Sequence, residues 1–139
     1  TMLEEALDEG ISLHLKSAYR SYQTQATMYY NRIQQNNGKD LGYVTKAGAS
    51  DHQTGLGCDV VPRAWRDRPM NGDMGKEKER IWMAENCHRF GFILRYPGDK
   101  TEQTGYSYDP GHYRYVGREV AKEMWETGLC LEEYLAQFQ

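Results

Sequence analysis

No stretch of this chain approaches the roughly 20 consecutive apolar residues that a membrane-spanning helix needs, and its mean hydropathy is −0.85. A transmembrane helix within it is excluded. A basic excess is also missing: 17 Lys and Arg stand against 20 Asp and Glu, for a formal net charge of −3, and no Lys/Arg block occurs. Binding to a nucleic-acid backbone is therefore not expected. Cysteine is scarce, with only Cys58, Cys87 and Cys130. An odd number without zinc-finger spacing argues against a disulfide framework and a Cys-type metal site, and points to core thiols. Thr1 to Glu5 does not read as a signal peptide, and neither internal repeats nor low-complexity tracts are found.

What is present fits one domain. The 139 residues are enough for a single core, taken as residues 1–139. Met2, Leu3, Ala6 and Leu7 have helical spacing with Gly10 as a stop, and Ile11, Leu13 and Leu15 then alternate as in a half-buried strand. Ser21 is a candidate cap for a helix whose apolar positions are Tyr22, Ala26, Tyr29, Tyr30 and Ile33. Residues 39–49 read as loop, 58–61 as a strand closed by Pro62, and 63–75 as an aperiodic surface excursion. A helix is predicted over 77–90, strands over 92–96 and 113–116, and helices over 118–127 and from Leu131 to Phe138. Helices and short strands mixed without regular βαβ alternation indicate an α+β domain.

The chemistry concentrates in Ser50-Asp51-His52-Gln53-Thr54-Gly55-Leu56-Gly57-Cys58-Asp59 and in Asp109-Pro110-Gly111-His112. Catalytic zinc sites use three protein ligands and leave a position for water, and His52, Asp59 and His112 supply two imidazoles and one carboxylate. In a strand, Cys58 would point away from Asp59. Asp109 lies three positions before His112, where a carboxylate could take a proton from a water; on spacing alone Asp-Pro-Gly is equally a turn. Arg20, between a strand and a helix, could reach a carboxylate in bidentate fashion or be a plain surface residue. His14 and His88 read as ordinary imidazoles. Some of the eleven Tyr and three Trp are candidates to line a peptide groove.

These residues resemble the zinc D,D-peptidases of bacterial cell walls, the D-alanyl-D-alanine carboxypeptidases and dipeptidases of the VanY and VanX type. Ser50, His52, Gly55, Gly57 and Asp59 match the motif S-x-H-x-x-G-x-A-x-D with glycine for alanine. Asp109 to Gly117 matches the second motif, commonly E-P-W-H-F/Y-R-Y-V-G. Ser17 to Ser21, Gln25, Phe90 to Pro97 and Leu131 to Leu135 extend the similarity over nearly the whole chain.

The resemblance implies a hedgehog/D,D-peptidase-like α+β domain, its helices packed around a central antiparallel sheet, with one Zn²⁺ held by His52, Asp59 and His112. It implies Asp109 as the catalytic carboxylate, Arg20 on the substrate or its tetrahedral intermediate, and Gln25 and Ser50 at the substrate pocket. The expected activity is removal of the terminal D-Ala from peptidoglycan stem peptides or precursors by a monomeric bacterial enzyme. Alternatives are an L-alanyl-D-glutamate-type endopeptidase and a non-catalytic zinc-containing peptidoglycan-binding module. A cell-envelope or extracytoplasmic location is expected, with any signal or anchor lying outside this stretch, and a cytoplasmic one stays open. Two departures stand in the second motif. Aspartate replaces glutamate at Asp109, as in the related endopeptidases, and Gly111 replaces tryptophan, which is expected to widen the cleft.

Overall fold

The computed structural model describes residues 1–139. Four strands, β1 (Leu13–Ser17), β2 (Gly57–Pro62), β3 (Phe92–Leu94) and β4 (His112–Tyr115), form one antiparallel sheet in the order β1-β2-β4-β3. Six helices surround it: α1 (Met2–Asp8), α2 (Tyr22–Gln35), α3 (Lys78–Asn86), α4 (Thr101–Thr104), α5 (Arg118–Thr127) and α6 (Leu131–Ala136). This is the α+β architecture expected from the sequence.

Alternation along the strands divides the labour of the sheet. Val60 and Tyr113 turn to one face and are buried with Ala6 of α1, Trp82 and Met83 of α3, and Cys87. Cys58 packs against this cluster, away from Asp59, and all three cysteines are free. Ile93 joins Ala121 and Met124 of α5 and Tyr134 of α6 in a second cluster. On the opposite side Val61 packs with Trp65 and Met74.

The expected elements are present, with instructive differences. The helix predicted over 77–90 ends at Asn86 and continues as a 3₁₀ turn, Cys87–Phe90, while the strand predicted over 92–96 stops at Leu94. Residues 63–76 are not loose: two short 3₁₀ turns, Arg63–Trp65 and Gly72–Lys76, dock through Trp65 and Met74, and Lys16 Nζ donates to the carbonyls of Trp65 and Arg68. Turns this short show no helical period. Helix α2 also departs from its expected apolar face, because Tyr22 and Tyr30 are exposed and its buried residue is Gln25. A polar contact sets that orientation, since Gln25 Nε2 donates to the Thr45 carbonyl at 2.6 Å and its Oε1 accepts from Arg20 at 3.0 Å.

Candidate metal centre

Sheet register brings the candidate ligands together. Asp59 of β2 and His112 of β4 are direct cross-strand partners, which puts their side chains on the same face a few ångströms apart. His52 arrives on a 3₁₀ turn, Asp51–Thr54, capped by Ser50, whose Oγ accepts from the His52 amide at 3.3 Å. All three side chains are buried, and their ligand atoms lie within 4.8 Å of one another.

The separations fit a metal. His52 Nε2 is 3.1 Å from His112 Nδ1, and each nitrogen is 3.4 Å from an oxygen of Asp59. Bonds of about 2.0–2.2 Å at tetrahedral angles would hold ligand atoms roughly 3.3–3.6 Å apart, which both nitrogen–oxygen separations match and the nitrogen–nitrogen one undershoots by about 0.2 Å. The far side of each ring is tied down. His52 Nδ1 donates to the Ala18 carbonyl at 2.6 Å, leaving its Nε2 lone pair turned inward. His112 Nε2 donates to Asp51 Oδ2 at 3.3 Å, leaving Nδ1 inward. Such outer partners fix tautomer and ring orientation. The Tyr96 ring stacks on His112, with centroids 5.3 Å apart and planes 14° from parallel.

Asp51 is itself braced. Arg114 Nη1 donates to its Oδ1 at 2.6 Å, and Arg95 Nε lies 3.0 Å from its Oδ2. Arg95 Nη1 also meets both oxygens of Glu132 on α6, at 2.6 and 2.9 Å. Burial disfavours the charged carboxylate, yet the His112 hydrogen bond and the two guanidiniums hold the Asp51 pKa at about 2. Burial likewise opposes charge on His112, but without a metal its bonds to Asp51 and Asp59 carry its pKa up to about 9, and a metal on Nδ1 would take the place of the proton there. Asp59 is held well below the carboxylate range by the two histidines, against the effect of burial. Room for Asp51 over the sheet depends on Gly57, where a Cβ would fall 2.7 Å from Asp51 Cβ.

A cleft of about 500 Å³ opens on the trio. Arg20 and Asp109 line it, as do Gln25 and four tyrosines, Tyr43, Tyr96, Tyr106 and Tyr108. Arg20 is oriented by Ser17 Oγ at 2.9 Å and Gln25 Oε1 at 3.0 Å, and it lies 3.5 Å from Asp59 Oδ2. The Asp109 carboxyl has a raised pKa, through burial first and then the nearby charge of Asp59. Its Oδ1 accepts from the Gly111 amide at 3.3 Å, so the Asp-Pro-Gly segment is a turn that also presents a carboxyl to the cleft. Ser50 stands apart from this group. It is buried as the cap beneath His52 and is not among the cleft-lining residues.

Residues 1–118 match the family model described as VanY, D-alanyl-D-alanine carboxypeptidase. The chain belongs to the VanY family. A D-alanyl-D-alanine carboxypeptidase of Enterococcus faecalis is 40% identical over 136 residues, covering 95% of this chain and 42% of the relative. The LdcB LD-carboxypeptidase structure superposes with a TM-score of 0.87 at 37% identity, over 97% of this chain and 63% of that one. A vancomycin-resistance D,D-pentapeptidase, VanY, solved with Zn(II), gives a TM-score of 0.81 at 35% identity, over 96% and 77% of the two chains. The chain spans less than half the length of the first curated relatives it matches.

Within this VanY-family cleft, Gly111 does not open the wall that its sequence suggested. A Cβ there would meet Met70 Sδ at 2.6 Å and Met74 Cε at 2.9 Å, so two methionines from the 63–76 excursion already occupy the space, and Met70 itself lines the cleft. Sequence reasoning also missed Asp51, Arg95 and Arg114. A carboxylate adjoining a candidate ligand was the available signal for Asp51, but only the β2/β4 pairing aims it at His112 instead of His52.

Proposed function

We propose that this domain, residues 1–139, is a zinc-dependent D,D-carboxypeptidase that removes the terminal D-alanine from peptidoglycan stem peptides, acting as a monomer at the bacterial cell envelope. The observation that carries this reading is the convergence of His52, Asp59 and His112 on one point in a cleft that Asp109 and Arg20 also line. His52 Nε2, His112 Nδ1 and the Asp59 carboxylate would hold the ion. Bound zinc supplies a Lewis acid for the scissile carbonyl and lowers the pKa of water toward neutrality.

The chain's own residues then account for the rest. Asp109, with its raised pKa, accepts the proton of the attacking water and returns it to the amide nitrogen of the departing D-alanine. Arg20, braced by Ser17 and Gln25, holds the substrate's terminal carboxylate, a charge-assisted contact of about 1.5–3 kcal/mol. Met70 and the tyrosines line the walls along which the peptide would lie.

The test is incubation of zinc-loaded protein with L-Ala-γ-D-Glu-L-Lys-D-Ala-D-Ala and mass spectrometry of the products. Loss of one alanine is expected. A cut between L-Ala and D-Glu would identify an endopeptidase instead, and stoichiometric zinc without turnover of either this peptide or the tetrapeptide a binding module. The likeness to LdcB favours one second reading, an L,D-carboxypeptidase, which would shorten the tetrapeptide ending in a single D-Ala and leave the pentapeptide intact.

A further inference from the structure

We propose that Arg32 is a specificity residue of this cleft, binding a carboxylate that the stem peptide carries upstream of the scissile bond. The inference rests on the carboxypeptidase reading above and adds the chemical class of stem peptide that the site selects.

Two arginines line the cleft, and they are in opposite situations. Arg20 is engaged by Ser17, Gln25 and Asp59. Arg32 forms no ion pair with any carboxylate of the chain, and its Nε is shielded from water with no hydrogen-bond acceptor. A guanidinium that lines the cleft without an ion pair or side-chain hydrogen bond of its own keeps its terminal donors available to a carboxylate from a ligand. Its guanidinium lies over the Tyr43 ring, 4.9 Å from the centroid, which orients a planar fork suited to bidentate carboxylate binding.

The spacing suits a peptide. Gln25, Met28 and Arg32 all line the cleft and follow the i, i+3, i+7 pattern of one helix face, so α2 runs along the cleft. Arg32 stands about two turns beyond Gln25, roughly 10 Å along the axis. Extended peptide advances about 3.3 Å per residue, so Arg32 lies about three residues from the end marked by Arg20 and Gln25. A stem peptide with its terminal carboxylate on Arg20 would bring its third residue or its γ-linked D-glutamate to Arg32. Either can carry a free carboxylate: D-glutamate through its α-carboxyl, the third residue when it is diaminopimelate. Arg32 is also in the last turn of α2, where a cation interacts favourably with the helix dipole. That role alone would not distinguish a carboxylate from a carboxamide in the substrate.

The experiment compares zinc-loaded wild type, Arg32→Gln and Arg32→Lys on four pentapeptides, with D-glutamate or its α-carboxamide at the second residue and lysine or diaminopimelate at the third. Wild type should prefer a carboxylate-bearing peptide over its matched twin by about 10- to 100-fold in kcat/KM, expressed mainly in KM. Arg32→Gln should abolish the preference and Arg32→Lys should keep part of it; the pair that responds identifies which carboxylate is bound. Equal discrimination by wild type and Arg32→Gln overturns the proposal. If no pentapeptide is turned over, the D,D-carboxypeptidase reading fails separately, and calorimetric affinities of the metal-free protein for the four corresponding tetrapeptides decide. A carboxylate preference lost in Arg32→Gln upholds the role of Arg32, whereas no preference, or no binding, overturns it.

Discussion

His112 and Asp51 face one another at 3.3 Å, Nε2 to Oδ2, on the edge of the imidazole opposite His52 and Asp59. The carboxylate therefore stands behind a proposed ligand and selects the tautomer whose Nδ1 lone pair points at the other two. Asp51→Ala would free the His112 ring to rotate and leave Arg95 and Arg114 without their shared anion. Zinc affinity should fall about 10- to 100-fold, the usual loss for such an outer partner. Competition against a chromophoric chelator measures it, and an unchanged affinity in a folded variant would refute the role of Asp51.

A second prediction concerns Gly111. Because Met70 Sδ and Met74 Cε would lie 2.6 and 2.9 Å from an added Cβ, Gly111→Ala should overpack the site and lower stability by about 1–3 kcal/mol in urea unfolding. Met70→Ala combined with Gly111→Ala should recover part of that loss, since the two changes share one space. Simple additivity of the two would show that Met70 is not what limits the position.

The sequence carried the site's chemistry better than its geometry. His52, Asp59, His112, Asp109 and Arg20, which the structure gathers around one cleft, could be singled out because residue types suited to metal, proton and carboxylate chemistry stand in short motifs. Their meeting point was not legible: Asp59 and His112 are far apart in the chain, and only the β2/β4 register makes them neighbours. Asp51 was missed for the same reason, as its partner lies across the sheet. Gly111 was misjudged because the methionines that fill its space come from a segment without periodicity. The face of α2 was misassigned where hydrogen bonds to Arg20 and Thr45 bury Gln25 in preference to tyrosines.

Glu133 supplies a pH-dependent prediction remote from the metal. Its Oε1 accepts from the Cys130 amide at 3.0 Å, capping α6, and lies 2.9 Å from Lys100 Nζ. These contacts, the backbone bond foremost, lower its pKa from the ordinary 4.5 to about 2. A pKa depressed in the folded state gives stabilisation that is fully present above about 4.5 and is lost as pH falls through about 2. Wild type should accordingly melt above Glu133→Gln at pH 6, with the gap narrowing between pH 4.5 and pH 2. A gap constant across that window would show that the charged form is not what α6 requires.

Asp109 offers the sharpest separation between an enzyme and a binding module. It lines the cleft beside His112 but belongs to none of the close contacts that join His52, Asp59 and His112, so it can be changed without removing a proposed ligand. Asp109→Asn keeps the shape, and its Oδ1 can still accept from the Gly111 amide, so the turn should persist. What it loses is proton transfer. Turnover should drop about 10²- to 10⁴-fold, the usual worth of a positioned general base, while zinc stays stoichiometric. Asp109→Glu tests reach: a side chain longer by one methylene would displace a carboxyl already turned to the cleft, and misplacement of about 1 Å can cost on the order of 10²-fold. Both variants should therefore lose activity with metal retained. Undiminished turnover in Asp109→Asn would remove this carboxyl from the reaction and require another residue to move the proton.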